Sequence, residues 1–432
     1  MNQENKLKNE RNKVIIVSVF ETNKKQDESD YLDDIKELEN LVLSCEMDVL
    51  DKISQNLTEI NPKTYVGSGK IEEIRMMVDS LEADTIVCND ELSPAQIENL
   101  EDLLKIRVLD RTYIILEIFR RRAKTKEAKI QVEIASLKYF LPRLAGLRTG
   151  LSRQGGGSSA RNKGKGEKQI DLDRRQIEAR IYQLKQELSQ IIKTRVLQRE
   201  KRNKNNMLSV CLVGYTNSGK SSTLNEILKH FSKNYSQDKQ VFEKDLLFAT
   251  LDTSTRLVKL DNNLEFLLTD TVGFINKLPH MLVESFKSTL EEIKEADLVI
   301  HVVDSSNKNY KMQIETTKKV LKEIEADNIE VLYAFNKQDL LDSYFFVDSE
   351  YENAVRYSAK TGEGLNDLIE EIQKLLFKNY HNATYKIPYD KQNLVSLINE
   401  KAKVIKTTYE DYIYIQCFVS DYLYNYLKEY QA

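Results

Sequence analysis

The chain is poor in the residues that build metal clusters, disulfide frameworks and membrane spans. Its 432 residues include only four cysteines, four histidines and five prolines, and no tryptophan. The cysteines lack paired spacing, which argues against a zinc cluster and against a disulfide framework. No run approaches the ~20 apolar residues of a membrane helix, and the polar N-terminus is unlike a secretory signal. We therefore expect a cytoplasmic location, with at most peripheral membrane association.

The chain is slightly acidic overall, but one of its segments is strongly basic. The formal net charge is −4, which argues against a general nucleic-acid binder. Between Arg120 and Lys168, however, 14 Lys or Arg residues face three acids, a local balance of +11. A basic segment on an acidic body indicates a focused anionic partner rather than general stickiness, and no DNA partner is expected.

The length is enough for about three domains, and the pattern predicts an α/β multidomain fold. Residues 1–112 alternate short apolar strands with helical stretches, which predicts an N-terminal α/β subdomain. Residues 207–380 have the βαβ rhythm of a nucleotide-binding domain with a doubly wound sheet. Residues 381–432 predict a small α+β domain.

Between these parts, residues 113–206 predict a long helical hairpin. Apolar residues recur at 3–4 spacing on one face of a first helix, from Leu116 to Leu141, and of a second helix that ends near Lys204. The intervening residues 144–168 contain seven glycines, which disfavour a regular helix and predict a flexible basic tip. A disordered linker is the alternative, although a linker would not need matched amphipathic helices on both sides.

A phosphate-binding loop is the clearest chemical motif. Gly214-Tyr215-Thr216-Asn217-Ser218-Gly219-Lys220-Ser221, followed by Ser222, fits G-x4-G-K-[ST] between an apolar strand and a helix. Glycines let the backbone N–H groups of a helix N-terminus surround phosphates. Lys220 is expected to reach the β- and γ-phosphates, and the Ser221 hydroxyl to ligate Mg²⁺.

Three further motifs follow in the order that a GTP site requires. Asp270-Thr271-Val272-Gly273 is predicted to hold a Mg²⁺-bound water through Asp270 and to contact the γ-phosphate through the Gly273 N–H. Asn336-Lys337-Gln338-Asp339 reads guanine, because the Asp339 carboxylate pairs with two base donors that adenine lacks. Ser358-Ala359-Lys360 supplies the last base contact. The sequence therefore predicts an enzyme that binds GTP and GDP and hydrolyses GTP.

A hydroxyl-rich stretch between the first two motifs contains the candidates for a switch threonine that closes on Mg²⁺. It reads FATLDTSTR, residues 248–256, and the chemistry alone does not choose between Thr250, Thr253 and Thr255. Position 274, where Ras-like enzymes place a water-orienting glutamine, is Phe274. We expect slow hydrolysis that depends on a partner; alternatively, Phe274 only packs the switch and another residue positions the water.

Several segments resemble the HflX-type GTPases, a group related to the Obg proteins. The resemblance rests on FATLD (248–252), DTVGFINKLPH (270–280), YVGSGKIEEI (65–74), SRQGGG (152–157) and DRRQIEARI (173–181), and covers nearly the whole chain. It implies that Phe248, Ala249, Thr250, Leu251 and Asp252 join the GTP site, with Thr250 as the Mg²⁺ ligand. In relatives, an asparagine at the place of Asn217 helps to hold K⁺, which suggests a K⁺ site here.

The resemblance also implies a ribosome-associated enzyme, expected to be monomeric, that acts on the large subunit and splits or rescues stalled ribosomes under stress. The alternatives are a GTPase acting on other RNA and a module that gates a protein partner. The tip departs from the family pattern, since it reads GGGSSARNKGKGE without the usual proline. The candidate contacts to ribosomal RNA are the basic residues Arg143, Arg148, Arg153, Arg161, Lys163, Lys165 and Lys168.

Overall fold

A computed structural model describes residues 11–23, 27–144, 160–204, 207–231, 248, 253–260, 264–277, 279, 281–282, 290–341 and 347–432. The chain forms two compact units. The first comprises residues 1–191, 244–252 and 275–287, and the second comprises residues 192–243, 253–274 and 288–432. Two short segments that lie beyond residue 240 therefore belong to the first unit.

The first unit is built on a four-stranded parallel sheet in the order β2-β1-β3-β4. Its strands are β1 (Lys13–Glu21), β2 (Asp48–Leu57), β3 (Thr85–Cys88) and β4 (Arg107–Asp110). The central strands β1 and β3 are almost wholly buried, as expected when helices cover both faces of a parallel sheet. The predicted N-terminal α/β architecture is therefore present.

Three of the first five helices in this unit begin at a residue whose side chain accepts from an exposed N–H group of the helix start. The five are α1 (Glu28–Ser44), α2 (Ser68–Leu81), α3 (Pro94–Leu104), α4 (Arg111–Arg122) and α5 (Lys126–Phe140). Ser93 and Gln96 form a reciprocal capping box with Pro94 at the first helical position, and Asp110 caps α4. These caps fix where strand β4 passes into α4, at the carboxyl end of the sheet.

The predicted first arm of the hairpin is wrong as a single helix. The chain breaks at Ala123, which is extended, and restarts where the Thr125 side chain accepts from the Ala128 N–H. Helix α4 packs on α1 and is buried along most of its length, so it belongs to the α/β core. A continuous apolar period cannot reveal such a break, because both helices bury a face.

The second arm is helix α6, Ala160–Lys204, which starts inside the predicted tip. Residues 160–168 are therefore helical rather than part of a loop, while residues 145–159 lie outside the described part of the chain. An apolar seam joins α5 to α6, formed by Ile130, Ile134 and Leu184 with Leu137, Ile181, Leu188 and Ile191 around them. This is the packing that the amphipathic pattern predicts.

The second unit contains a six-stranded sheet in the order β10-β9-β8-β5-β7-β6, with only β6 antiparallel. Its strands are β5 (Ser209–Val213), β6 (Ser254–Lys259), β7 (Glu265–Asp270), β8 (Leu298–Asp304), β9 (Val331–Asn336) and β10 (Ala354–Arg356). Helices α7 (Lys220–Phe231), α8 (Tyr310–Glu323) and α9 (Leu365–Leu376) accompany it. This is the α/β sheet that the sequence predicts.

The chain ends in a three-stranded antiparallel sheet, also within the second unit. Its order is β11-β13-β12, formed by β11 (Tyr380–Ile387), β12 (Lys403–Tyr409) and β13 (Ile413–Ser420), with helices α10 (Gln392–Lys401) and α11 (Asp421–Tyr426). The predicted α+β character of residues 381–432 is therefore present. Among the described residues, no helix is long and apolar enough to span a bilayer.

Candidate nucleotide-binding site

The P-loop connects strand β5 to helix α7, as its spacing predicts. A Cβ on Gly214 would lie 2.3 Å from the Val302 carbonyl oxygen, and one on Gly219 would lie 2.1 Å from the Asn336 amide nitrogen. Both glycines have positive φ, 145° and 96° respectively. Larger residues are therefore excluded at both positions by strain and by contact.

The Lys220 side chain is buried under this loop. Its Nζ donates to the carbonyl oxygens of Gly214 at 3.1 Å and Tyr215 at 2.7 Å. Burial lowers the pKa of Lys220 from 10.5 to about 8, opposed by the nearby Asp270 carboxylate. An anion placed beside this amine would favour its charged form.

The D-x-x-G segment, at the end of strand β7, lies against the P-loop. Ser221 Oγ donates to Asp270 Oδ2 at 2.6 Å. Two buried P-loop hydroxyls, Thr216 Oγ1 and Ser218 Oγ, have no hydrogen-bond partner among the residues that the structure describes. Buried polar atoms without partners are uncommon, and here they surround the loop whose motif binds phosphate.

Phe274, directly after this segment, is hydrogen-bonded to the P-loop backbone. Its N–H donates to the Gly214 carbonyl at 3.1 Å, and its carbonyl accepts from the Thr216 N–H at 2.7 Å. The Phe274 side chain is only 2% exposed. Buried in this way, the side chain at position 274 has neither the chemistry nor the access to orient water.

The predicted base-reading residues converge on the carboxyl ends of β9 and β10. Asn336 Nδ2 donates to the Ser218 carbonyl at 2.9 Å, and Asn336 Oδ1 accepts from the Ala359 N–H at 2.9 Å. Ser358 Oγ donates to Asp339 Oδ1 at 2.6 Å. The structure thus brings together the P-loop, the N-K-x-D motif and the S-A-K loop.

Sequence reasoning missed the loop that follows β8. Lys337 Nζ forms an ion pair with the Asp304 carboxylate at 2.7 Å, and the Gln338 side-chain amide donates a hydrogen bond to Ser305 Oγ at 2.8 Å. Lys337 itself has a left-handed φ of 67°. The signal was available, because β8 lies between β5 and β9 and polar residues at adjacent strand ends meet at one edge.

The predicted switch stretch is described only in part. Ala249, Thr250, Leu251 and Asp252 lie outside the described residues. Phe248, in the first unit, is buried, and its ring packs edge-on against Phe119 with centroids 4.6 Å apart. In the second unit, Thr255 lies within β6 and shares a 3.0 Å hydrogen bond with Thr269.

Residues 276 and 277 are bound within the first unit at the carboxyl ends of its strands. Asn276 Nδ2 donates to Asp34 at 2.7 Å, and its carbonyl accepts from Arg111 at 3.2 Å. Lys277 Nζ lies 2.8 Å from Asp90 and 3.4 Å from Asp34. The buried carboxylate of Asp34 thus contacts both Asn276 and Lys277, which follow Gly273 by three and four residues.

Arg143, predicted to contact RNA from the tip, is instead a buried structural residue. Its guanidinium stacks over the Tyr139 ring at 3.6 Å and donates to the carbonyls of Tyr139 and Leu92, each at 2.7 Å. It also lies 3.4 Å from Asp110. Of the other candidate contacts, Arg148 and Arg153 lie outside the described residues, and only the helical backbone is described at Arg161, Lys163, Lys165 and Lys168.

These motifs on a mostly parallel α/β sheet define a P-loop GTPase. The chain matches four family descriptions in succession: "GTP-binding GTPase N-terminal" over residues 32–120, "GTP-binding GTPase Middle Region" over 122–202, "50S ribosome-binding GTPase" over 209–337 and "HflX C-terminal domain" over 347–412. It is 43% identical to the GTPase HflX of Lacrimispora saccharolytica over 97% of this chain and 96% of that protein. The corresponding protein of Escherichia coli is 37% identical over 92% of this chain and 90% of its own length. The chain belongs to the HflX family of GTPases.

Proposed function

We propose that the four motifs form one guanine-nucleotide site, made from the residues named above. The observation that carries the proposal is the position of Asn336, whose amide contacts both the P-loop and the S-A-K loop. Ser358 donates to Asp339 at 2.6 Å, and we propose that this carboxylate accepts from guanine N1 and N2. The site therefore selects guanine through Asp339 and binds phosphates through residues 214–222.

The same site fits a Mg²⁺ ion. The Ser221 hydroxyl and the Asp270 carboxylate meet at 2.6 Å, and both are oxygen ligands of the kind that Mg²⁺ prefers. We propose that Ser221 and Thr250 bind the ion directly and Asp270 through water. Bound Mg²⁺ would neutralise charge on the β- and γ-phosphates.

Hydrolysis in the isolated protein is proposed to be slow. The buried Phe274 offers no hydrogen bond to an attacking water. Asn217, within the P-loop, has a left-handed φ of 59° and is exposed. We propose that its amide helps to hold K⁺. A monovalent cation there would offset the charge that develops during phosphoryl transfer.

The proposed partner is the large ribosomal subunit, with the protein acting in the cytoplasm to split or rescue stalled ribosomes. Supporting this are the "50S ribosome-binding GTPase" description of residues 209–337 and the basic tip between residues 144 and 168. Phosphate contacts by this tip would make binding steeply salt-dependent. The contacts of Asn276 and Lys277 with Asp34, Asp90 and Arg111 support a coupling in which movement of the D-x-x-G region is transmitted to the first unit.

The test is GTP hydrolysis with and without purified large ribosomal subunits, in K⁺ buffer, followed by co-sedimentation. Strong stimulation together with co-sedimentation supports the proposal and justifies an assay of subunit splitting. Intrinsic hydrolysis without either effect would contradict the ribosomal role. Stimulation by free RNA alone would favour action on another RNA, and no response to any RNA would favour a protein partner.

A further inference from the structure

The C-terminal three-stranded sheet is covered by helices on one face only. Side chains alternate between the two faces of a strand, and the buried side chains of β11 and β13 form one core with helices α10 and α11. Residues paired directly across neighbouring strands share a face. The opposite face is therefore formed by Asn382, Thr384 and Lys386 of β11, Tyr414, Gln416 and Phe418 of β13, and Lys403, Lys406 and Thr408 of β12.

One end of this opposite face is covered by the rest of the second unit. Phe418 packs against the core of the six-stranded sheet, and Lys403 Nζ lies 3.0 Å from Glu265 at the start of β7. At the other end Lys386 and Lys406 are exposed. We call the uncovered part the open face, formed by Thr384, Lys386, Lys406, Thr408, Tyr414 and Gln416.

Two lysines carry the charge of the open face. Lys386 lies directly across from Tyr414, and its ammonium group sits over the Tyr412 ring, 4.1 Å from the centroid. Lys406 lies across from Gln416 on the other side of β13. Neither lysine has an ion-pair partner among the residues that the structure describes. Since neighbouring strands lie about 4.8 Å apart, the two cations flank the central strand β13.

These side chains fit a single nucleic-acid strand better than a protein surface. Lysine is depleted in protein–protein interfaces, and the open face includes no aliphatic side chain. The Tyr414 ring can stack on a base, and the Gln416 amide can bond to base edges. Some RNA-binding domains recognise single-stranded RNA through aromatic side chains on the open face of a sheet. The nearest acids in the sequence, Glu410 and Asp411, lie in the turn between β12 and β13 rather than on the face.

The edges of the sheet are poorly suited to adding an extended peptide as a further strand. Residues 431 and 432 already pair with the outer edge of β11, where the Ala432 N–H donates to the Thr384 carbonyl at 2.8 Å. The opposite outer strand, β12, has a β-bulge between Val404 and Lys406. Bulges interrupt the hydrogen-bonding edge that an added strand would need. These features favour a ligand on the open face over one at an edge.

We propose that the open face binds single-stranded RNA, with a base stacked on Tyr414 and phosphates bound by Lys386 and Lys406. The inference goes beyond the proposed function, because neither the nucleotide site nor the basic tip takes part. RNA binding by this face can therefore fail while GTP binding and large-subunit binding are retained.

The first experiment measures, by fluorescence anisotropy, the affinity of the full chain for a labelled single-stranded RNA of about eight nucleotides. GDP and Mg²⁺ are present, and every variant carries Lys163→Ala/Lys165→Ala as a common background, so that the basic tip contributes less. Tyr414→Ala should weaken the affinity roughly 5- to 100-fold, as for the loss of one stacked base. Tyr414→Phe keeps the ring and should bind as the background protein does.

A matched control separates stacking from a general loss of tyrosine. Tyr422→Ala removes an exposed tyrosine from helix α11, in the helical layer of the same domain, and should leave RNA affinity unchanged. Equal affinities in Tyr414→Ala and Tyr422→Ala would overturn the proposal. Failure of Tyr414→Phe to bind as the background does would also contradict stacking on the ring.

The lysines are tested through the dependence of affinity on salt. Lys386→Ala/Lys406→Ala removes two phosphate contacts and should reduce the slope of log affinity against log salt by about 1.4 for a single strand. Lys391→Ala/Lys428→Ala makes the same change in net charge at exposed positions outside the sheet. Equal slopes in these two variants would contradict phosphate binding by the open face.

Crosslinking of the unsubstituted chain gives a test that does not depend on any variant folding. A single-stranded RNA that carries 4-thiouridine is irradiated with the protein, and the crosslinked peptides are identified by mass spectrometry. We expect crosslinks in β11 or β13; crosslinks confined to residues outside the C-terminal sheet would overturn the proposal. Loss of large-subunit binding in Tyr414→Ala with unchanged RNA affinity would assign the face to a protein partner and would overturn it equally.

Discussion

Asn336 donates its side-chain amide to the Ser218 carbonyl at 2.9 Å, and the same side chain accepts from the Ala359 N–H. One buried residue thus connects three loops that come from three separate strand ends. In the proposed site a guanosine nucleotide contacts all three loops at once, so their mutual placement contributes to affinity before any ligand arrives.

Replacing this residue should weaken nucleotide binding strongly. Asn336→Ala removes two buried hydrogen bonds, each with a net contribution of about 0.5–1.5 kcal/mol, and leaves the Ser218 carbonyl without its donor. We expect GDP affinity to fall roughly 10- to 100-fold in fluorescence titration. Asn382→Ala, at an exposed position on strand β11, serves as the control and should bind as the unsubstituted protein does. Equal affinity in the two variants would contradict the bridging role.

The affinity for nucleotide should decrease at alkaline pH. Burial holds the pKa of Lys220 at about 8 before nucleotide binds, and phosphate anions beside the amine should raise it. Above pH 8 binding must then take up a proton, so GDP affinity should decrease as the pH rises from 8 to 9.5. Calorimetry at pH 8.8 in buffers of different ionisation enthalpy measures this uptake directly. Binding without proton uptake would show that the pKa does not change.

The nucleotide motifs were readable in the sequence because their chemistry is local. Gly214, Gly219 and Lys220 are fixed by the geometry of a strand–loop–helix turn, and the structure places them there. Asp304 was missed because its role depends on β8 lying between β5 and β9, a strand order that no single segment specifies.

The basic segment shows the opposite difficulty. Charge counting put Arg143 among the RNA contacts, but its guanidinium stacks on Tyr139 and bonds two carbonyls inside the first unit. A cation can serve either purpose, and only its tertiary neighbours decide which. The break between α4 and α5 escaped notice for a related reason, since both helices are apolar on their packed faces.

Arg111 should be the more costly of two arginines to remove from helix α4. It is 1% exposed, pairs with Glu37 and donates to Asn89 at 3.0 Å, so Arg111→Ala removes the cation beside a carboxylate whose side chain is only 13% exposed. We expect unfolding of the first unit to become easier by about 3–5 kcal/mol in denaturant titration. Arg120→Ala is the matched control, because its pair with Glu117 leaves the arginine side chain 69% exposed and should contribute ~1 kcal/mol or less. Similar losses in both variants would contradict this difference.

The proposed K⁺ site predicts faster GTP hydrolysis in K⁺ than in Na⁺ at equal ionic strength. The reason is that a K⁺ ion beside Asn217 would stabilise charge in the transition state, while the smaller Na⁺ fits the same ligands less well. Single-turnover rates in the two salts give the comparison without interference from product release. In Asn217→Ala the ratio of the two rates should approach one. Equal rates in the unsubstituted protein would remove the K⁺ proposal.

The basic tip predicts a particular dependence of large-subunit binding on salt. If Lys163 and Lys165 contact RNA phosphates, removing both eliminates two counterion-releasing contacts and should reduce the slope of log affinity against log salt by about 1.4–1.8. The double variant Lys319→Ala/Lys322→Ala makes the same change in net charge at exposed positions on helix α8. Sedimentation with purified large subunits at KCl concentrations from about 50 to about 200 mM measures both slopes. A tip that binds RNA lowers the slope in the first variant alone; equal slopes in the two variants would mean that only net charge matters and that the tip is not the contact.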